Sequence, residues 1–249
     1  DGSPTYPFLF DTGGSFVLVK NELALTLSLS RPSELPGDLP LTVSAGSGER
    51  AQARFVSVAS LDIGKIHCTG LTALASDLPH SDIAGILGFG LFRGQRFVLD
   101  YPRAQLVIEQ GAADLGESAL EYRCLLPGCL PAIDVQIGDR KLTVGIDTGF
   151  DGWIALDEAM AKSIGLVTPP VEGHREFLVS GARRMRLARL AGSFELGGSR
   201  VIEPIVRLDP GAGPVIGNAL LEHYVVTFDT TASRVLLSSR SCDNSRSRA

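Results

Sequence analysis

The chain has 249 residues, of which 44% are hydrophobic and 20% charged, enough apolar material for one large core or for two lobes of roughly 120 residues. A net charge of −5 does not fit the basic face that nucleic-acid binding needs, and no apolar run approaches the ~18 residues of a bilayer span. Aromatics are sparse at 6% while Gly (28) and Pro (14) are abundant, the balance of a turn-rich β protein and not of a helical bundle, a collagen-like repeat or a disordered chain.

Taken in order, the chain opens on Asp1 and not on methionine, which fits a removed signal peptide, a removed pro-segment or a trimmed start. An apolar strand, Phe8 to Phe10, runs into Asp11-Thr12-Gly13, and a second apolar run follows at Phe16 to Val19. Thr42 to Arg50 is a turn between short strands, with Gly46 and Gly48 flanking Ser47. Phe55 to Ile63 alternates partially and is rich in β-branched residues, as a strand is. Ile86-Leu87-Gly88 leads into a short helix at Phe89 to Phe92, then a hairpin through Phe97-Val98-Leu99-Asp100 and Leu106-Val107-Ile108. Gly111 to Glu121 has few large apolar residues and marks a boundary between halves.

The second half starts with two cysteines, Cys124 and Cys129, around a Leu-Leu-Pro-Gly turn that can bring them within bridging distance. With Cys68 and Cys242 the count is four, which permits two disulfides in three connectivities; four free thiols is the other reading. No Cys-x-x-Cys pair or histidine at ligand spacing points to a metal. His67, His80, His174 and His223 are scattered without motif context. Ile133 to Asp147 is a hairpin turning at Gly138-Asp139 and ending in Asp147-Thr148-Gly149. The spacing predicts a helix over Asp157 to Ile164, with Asp157 as N-cap and Gly165 beyond its end. Leu178 to Met185 is another turn, around Ser180 and Gly181, and Ser193 to Leu208 is strand-like. Val215-Ile216-Gly217 precedes a short helix, then Val226-Thr227-Phe228-Asp229 and Val235-Leu236-Leu237. Ser238 to Ala249 is Ser/Arg-rich, without periodicity, and is expected to be a disordered tail.

These landmarks occur twice in the same order. Gly88 to Gly217 and Asp100 to Asp229 each span 129 residues, and the two Asp-Thr-Gly copies stand 136 apart. A single Asp-Thr-Gly is ordinarily a turn. Two copies, each followed by an apolar-apolar-Gly segment and a hairpin, divide the chain into lobes over 1–115 and 116–240, with 241–249 as tail.

On these motifs the chain resembles the retropepsin/pepsin class of aspartic proteases over nearly all of residues 6 to 237, and most of all bacterial retropepsin-like proteins with both lobes on one chain. The resemblance implies an all-β fold with a few short helices, two pseudo-symmetric barrel lobes, and an active site between them. Asp11 and Asp147 would then be a catalytic dyad. Two carboxyls held ~3 Å apart cannot both ionise, so they share a proton and supply both an acid and a base. Gly13 and Gly149 allow the tight turns that aim amide N–H groups at the carboxylates. By resemblance, the Thr12 and Thr148 hydroxyls bond across to the opposite loop, Gly88 and Gly217 pack behind the loops, and the turns at Gly46-Ser47-Gly48 and Ser180-Gly181 are candidate flaps. Neither flap candidate carries the tyrosine of pepsin-type flaps.

Two features depart from the pattern. Gly14 and Phe150 stand where pepsin-type loops place a Ser or Thr beside the carboxylate, so less pKa depression and a mildly acidic optimum are expected. The first Asp loop also lacks the full hairpin that precedes the second. The function implied is an aspartic endopeptidase taking an extended peptide, with no metal or organic cofactor, no nucleic acid and no membrane span. It would be a monomer in an extracytoplasmic (periplasmic, secreted or anchored) location. The alternatives are a non-catalytic peptide- or ligand-binding relative, which has no need of two carboxyls, and the same dyad acting on a non-peptide substrate. Neither a P-loop nor a Gly-x-Ser-x-Gly elbow is present.

Overall fold

In the computed structural model, which describes residues 4–35, 41–44, 50–78, 82–109, 114–125, 129–178, 181–210 and 213–239, the chain is almost entirely strand. The first half runs β1 (Phe8–Asp11), β2 (Leu18–Lys20), helix α1 (Asn21–Thr26), β3 (Leu41–Ser44), β4 (Arg50–Ile63), β5 (Ile66–Ser76) and β6 (Gly85–Gly88). Its six strands form a sheet in the order β1-β6-β2-β5-β4-β3. β6 lies between β1, to which it is parallel with Asp11 opposite Gly88, and β2, to which it is antiparallel. Both faces of the sheet are apolar: Val17 and Val19 join the main core while Leu18 packs with Leu74 and Leu78, as the two-residue alternation of a strand requires.

After a 3-10 turn at Phe89–Phe92 come β7 (Arg96–Asp100), a second 3-10 turn at Tyr101–Arg103, and β8 (Gln105–Glu109). The second half then runs β9 (Leu120–Glu121), β10 (Arg123–Cys124), β11 (Pro131–Ile137), β12 (Arg140–Ile146), β13 (Ile154–Leu156), α2 (Glu158–Ile164), β14 (Val171–Leu178), β15 (Gly181–Arg189), β16 (Ser193–Leu196), β17 (Ser199–Ile202), β18 (Ile205–Leu208), β19 (Val215–Ile216), α3 (Asn218–Leu221), β20 (Tyr224–Asp229) and β21 (Arg234–Ser239). Its sheet has the order β10-β11-β12-β19-β13-β18-β15-β14. From β12 onward that order repeats the path of the first sheet strand for strand. The difference is at one edge: β11 and β10 extend the second sheet beyond β12, whereas the first sheet ends at β1 among the described residues.

A third sheet, β8-β7-β20-β21-β9, draws strands from both halves. β7 and β20 are antiparallel, with Val98 opposite Thr227. Those two residues are also equivalent in the repeat, so a pseudo-two-fold axis passes between them. The few aromatics concentrate against this sheet. Phe97 stacks on Phe228 with ring centroids 5.0 Å apart, and Phe89 meets Phe228 edge-on at 5.3 Å. Phe10, on β1, packs edge-on against Phe92 at 4.9 Å and Phe97 at 5.4 Å. Such pairs contribute ~0.5–1.5 kcal/mol each beyond their buried area, and here they tie the strand leading into Asp11 to the shared sheet.

The local signals account for most elements. Asp157 caps α2 by accepting from the Ala159 N–H at 2.8 Å, and Gly165 follows it at φ 113°. The β11–β12 hairpin turns on Gly138 at φ 56°, a backbone shape glycine adopts without cost. The helices after Gly88 and Gly217 form as short 3-10 and α turns. A disulfide joins Cys124 to Cys129, and Cys68 is a free thiol. No helix among the described residues is long and apolar enough to cross a membrane. The expected tail and Cys242 lie outside the described residues.

Candidate active site

The two Asp-Thr-Gly loops meet at the pseudo-two-fold axis. Thr12 and Thr148, both buried, form a closed set of four hydrogen bonds. The Thr12 N–H donates to Thr148 Oγ1 at 3.0 Å and the Thr148 N–H to Thr12 Oγ1 at 2.9 Å. Each hydroxyl then donates to the strand feeding the opposite loop, Thr12 Oγ1 to the Ile146 carbonyl at 2.6 Å and Thr148 Oγ1 to the Phe10 carbonyl at 2.7 Å. The cross-bonding implied by the resemblance is therefore present on both sides.

That lock brings the carboxyls of Asp11 and Asp147 together. Each carboxylate accepts the N–H of the glycine two residues on: Gly13 to Asp11 Oδ1 at 2.8 Å, Gly149 to Asp147 Oδ1 at 2.9 Å. A methyl group on Gly13 would stand 2.5 Å from Asp147 Oδ1, and one on Gly149 2.6 Å from Asp11 Oδ1. Glycine is thus required at both positions by the opposite carboxyl, a reason the turn geometry alone does not supply. Behind the loops a Cβ on Gly88 would meet the Gly14 carbonyl at 2.6 Å, and one on Gly217 the Phe150 carbonyl at 2.4 Å. The Phe89 N–H donates to the Gly14 carbonyl and the Asn218 N–H to the Phe150 carbonyl, again in symmetric positions.

Both carboxyls are held above their ordinary range. Burial is the largest cause for each; for Asp147 the Asp11 charge and a hydrogen bond from its carboxyl add to it, pushing Asp147 up to about 7. For Asp11 burial outweighs the opposing Asp147 hydrogen bond and the N–H groups of Gly13, Gly14 and Gly149. The proton they share belongs to the pair. A neutral carboxyl beside an ionised one supplies a proton donor and a proton acceptor at a single point.

The two loops differ one residue after the glycine. At Gly14 a Cβ would stand 3.0 Å from Asp11 Oδ2, whereas Phe150 is buried, with the Arg207 guanidinium 4.2 Å from its ring centroid. Arg207 Nε donates to Asp209 Oδ2 at 2.6 Å. A pocket of about 220 Å³ opens there, lined by Phe150, Trp153, Met185, Leu187, Ile205 and Arg207 among others. Asp100 and Asp229 are turn residues, Asp100 accepting from the Arg103 N–H and Asp229 from those of Thr231 and Ala232.

Of the flap candidates, Gly46, Ser47, Gly48 and Ser180 lie outside the described residues. The strands beside them do pair: Ser44 opposite Arg50 in β3–β4, and Leu178 opposite Gly181 in β14–β15. Two residues with contacts to the second loop were not singled out by the sequence. Asn218 donates from Nδ2 to the Thr148 carbonyl at 2.6 Å, and Tyr101 donates its hydroxyl to Asn218 Oδ1 at 2.6 Å. Among the described residues no group of three His, Cys, Asp or Glu side chains is placed to hold a metal ion.

No curated protein matches the chain. Residues 1–91, which carry β1 to β6 and the first Asp-Thr-Gly loop, match the family described as aspartyl protease. Over those residues, and not over the second half, the chain is similar to the aspartyl protease family.

Proposed function

We propose that the protein is an aspartic endopeptidase in which Asp11 and Asp147 are the catalytic pair. The observation that carries this reading is the meeting of the two Asp-Thr-Gly loops, locked by Thr12 and Thr148, so closely that a Cβ on Gly13 would stand 2.5 Å from Asp147 Oδ1 and one on Gly149 2.6 Å from Asp11 Oδ1. One carboxylate takes a proton from water while the other carboxyl donates its proton to the scissile carbonyl oxygen. The new C–O bond gives a tetrahedral diol. The C–N bond then breaks as a proton passes to the leaving nitrogen, and the pair returns to sharing one proton. Residues of both halves would bind an extended peptide as an added strand, under the β3–β4 and β14–β15 hairpins, with the pocket beside Phe150 taking one side chain. Both carboxyls come from one chain, so the working unit is a monomer, and the chemistry needs no metal or organic cofactor. The Cys124–Cys129 disulfide supports an extracytoplasmic site of action.

The test is cleavage of a diverse peptide mixture by the wild type, Asp11→Asn and Asp147→Asn across about pH 3–7, the span over which such a pair titrates. A wild type that cuts nothing, or a variant that cuts as well as it does, removes the reading. Because both carboxyls are raised, and Asp147 to about 7, kcat/KM should peak at mildly acidic pH. It should fall toward neutrality as the pair loses its shared proton. A profile still rising below about pH 3 contradicts this. Gly149→Ala should lower kcat/KM by roughly 100-fold or more, because its Cβ displaces the Asp11 carboxyl and a misplacement near 1 Å costs about that much. Gly94→Ala, with nothing within 4 Å of its Cβ, is the control for strain at a glycine turn and should retain activity.

A further inference from the structure

The Tyr101 and Asn218 bonds form a directed chain into the second Asp-Thr-Gly loop only, ending on the Gly149 N–H, which donates to Asp147 and also bears on Asp11. A backbone carbonyl can only accept, so Asn218 must present Nδ2 to the Thr148 carbonyl. Its Oδ1 is then the acceptor, and Tyr101 must be the donor. The Thr148 carbonyl and the Gly149 N–H belong to the same peptide unit, and that N–H donates to Asp147 Oδ1 at 2.9 Å. The sequence Tyr101 O–H, Asn218 amide, Thr148–Gly149 peptide, Asp147 carboxylate is therefore a head-to-tail run of three hydrogen bonds, each polarising the next. Tyr101 comes from the first half, at the end of β7, and Asn218 opens α3 in the second. In the repeat Asn218 corresponds to Phe89, which has no side-chain donor, so the first loop lacks this support. The counterpart of Tyr101 is Thr230, whose hydroxyl stops at the carbonyls of Phe92 and Gln95 and does not reach an Asp loop.

We propose that Tyr101 and Asn218 are positioning residues that hold the Thr148–Gly149 peptide so that its N–H points at Asp147, making the two carboxyls of the pair unequal. The proposal rests on the reading of Asp11 and Asp147 as the catalytic pair. The donor state of Tyr101 is secure: burial, and then the charge of Glu222, push its hydroxyl up. Other charged groups face the relay from each side. They are Asp11 across from Asp147, Glu222 on α3, the Asp100–Arg103 pair beside Tyr101, the Arg96–Asp229 pair on β7 and β20, and Asp151 after the second loop. None of these is removed by the substitutions below, so a change in titration reports the relay.

The experiment compares wild type with Tyr101→Phe, which deletes one oxygen, and with Asn218→Leu. Two readouts are taken: the pH profiles of kcat and kcat/KM on a cleaved peptide, and the carboxyl titration of Asp11 and Asp147 by carbon-13 NMR on Asp-labelled protein. Signals are assigned with Asp11→Asn and Asp147→Asn. Loss of the relay weakens the N–H that stabilises the Asp147 anion, so the pair's apparent pKa values should rise, by roughly 0.3–1 unit. The acid limb of the kcat/KM profile should move up with them, and kcat should fall about 3- to 30-fold with KM changed less than twofold. Asn218→Gln, which keeps the amide on a longer arm, should restore part of the shift. Titration midpoints unchanged in Tyr101→Phe overturn the proposal, as does a loss confined to KM. Should the wild type cut no peptide, the endopeptidase reading fails by itself while the NMR titration still decides whether the relay acts on Asp147.

Discussion

Asparagine at either Asp11 or Asp147 should reduce kcat/KM by about 10³–10⁴-fold, and the double variant should be little worse than either single one, because the two carboxyls act as one unit. The substitution is nearly isosteric. An asparagine Oδ1 can still accept the Gly13 N–H, now 2.8 Å from Asp11, or the Gly149 N–H, now 2.9 Å from Asp147, so the loops keep their shape. What disappears is the shared proton. Stability should move the other way. A carboxyl raised in the folded state binds its proton more tightly there than in the unfolded chain. The fold is therefore favoured below the ordinary carboxylate range and loses stability as pH rises from that range through about 7, the value to which Asp147 is pushed. Asp147→Asn has no charge to bury and should unfold a few degrees above wild type at neutral pH, with each kcal/mol worth roughly 2–4 °C at this size. At about pH 3.5 the gap should close, since wild type is then protonated. Calorimetric melts at both pH values, beside the cleavage assay, separate lost chemistry from lost folding. Cleavage retained by either variant, or melts that coincide at neutral pH, would show that the carboxyls do not share a buried site.

The loops themselves were legible because the chain writes them twice. Asp11-Thr12-Gly13 and Asp147-Thr148-Gly149, with Gly88 and Gly217 behind them, are set by short-range chemistry: a tight turn, a close approach, a buried apolar strand. α2 was legible for the same reason, since Asp157 caps it and Gly165 ends it. Its counterpart in the first half, α1, was not, because the residue at its N-cap, Lys20, makes no side-chain cap. The repeat held the missing cue: Glu22 stands in the place of Glu158. Leu120 and Glu121 were read as part of an apolar-poor boundary, yet they pair with Val235 and Arg234 at the edge of the shared sheet. Strand pairing uses the backbone, so exposed side chains there give no periodic signal. Phe150 is a third case. The sequence marks it only as a missing hydroxyl, whereas its ring is buried beside Arg207, a residue 57 positions away by the numbering. Tyr101 and Asn218 are 117 apart and belong to no motif. Contacts of that kind are decided by how the two halves dock, which no local pattern encodes.

Valine at Thr12 or Thr148 should destabilise the protein by about 2–5 kcal/mol and cut kcat at least tenfold. Valine fills the same volume but has no hydroxyl. With Thr12→Val the Thr148 N–H loses its acceptor and the Ile146 carbonyl loses its donor, bonds that now measure 2.9 and 2.6 Å. Thr148→Val does the same to the Thr12 N–H and the Phe10 carbonyl. Each buried backbone group left without a partner costs about 1–3 kcal/mol, and Thr12, Thr148 and Ile146 are buried while Phe10 is half-buried. The second valine should cost less than the first. Once one hydroxyl is gone the loops can part and admit water to the other, so the four bonds couple and the single effects do not add. Activity should fall further than stability predicts, because the threonines fix the distance between the carboxyls and a pair drawn apart no longer shares its proton. That carries a specific signature: the raised titration of Asp147 should relax toward the ordinary carboxylate range as its partner recedes. Thr→Ser keeps the hydroxyl and should stay within a few-fold of wild type in kcat. Chemical unfolding, kcat and the NMR titration of the carboxyls on the four single variants decide the matter. Serine variants as impaired as the valine ones would assign the effect to methyl packing. Valine variants with wild-type titration would show that the carboxyls are held by the strands and not by the threonines.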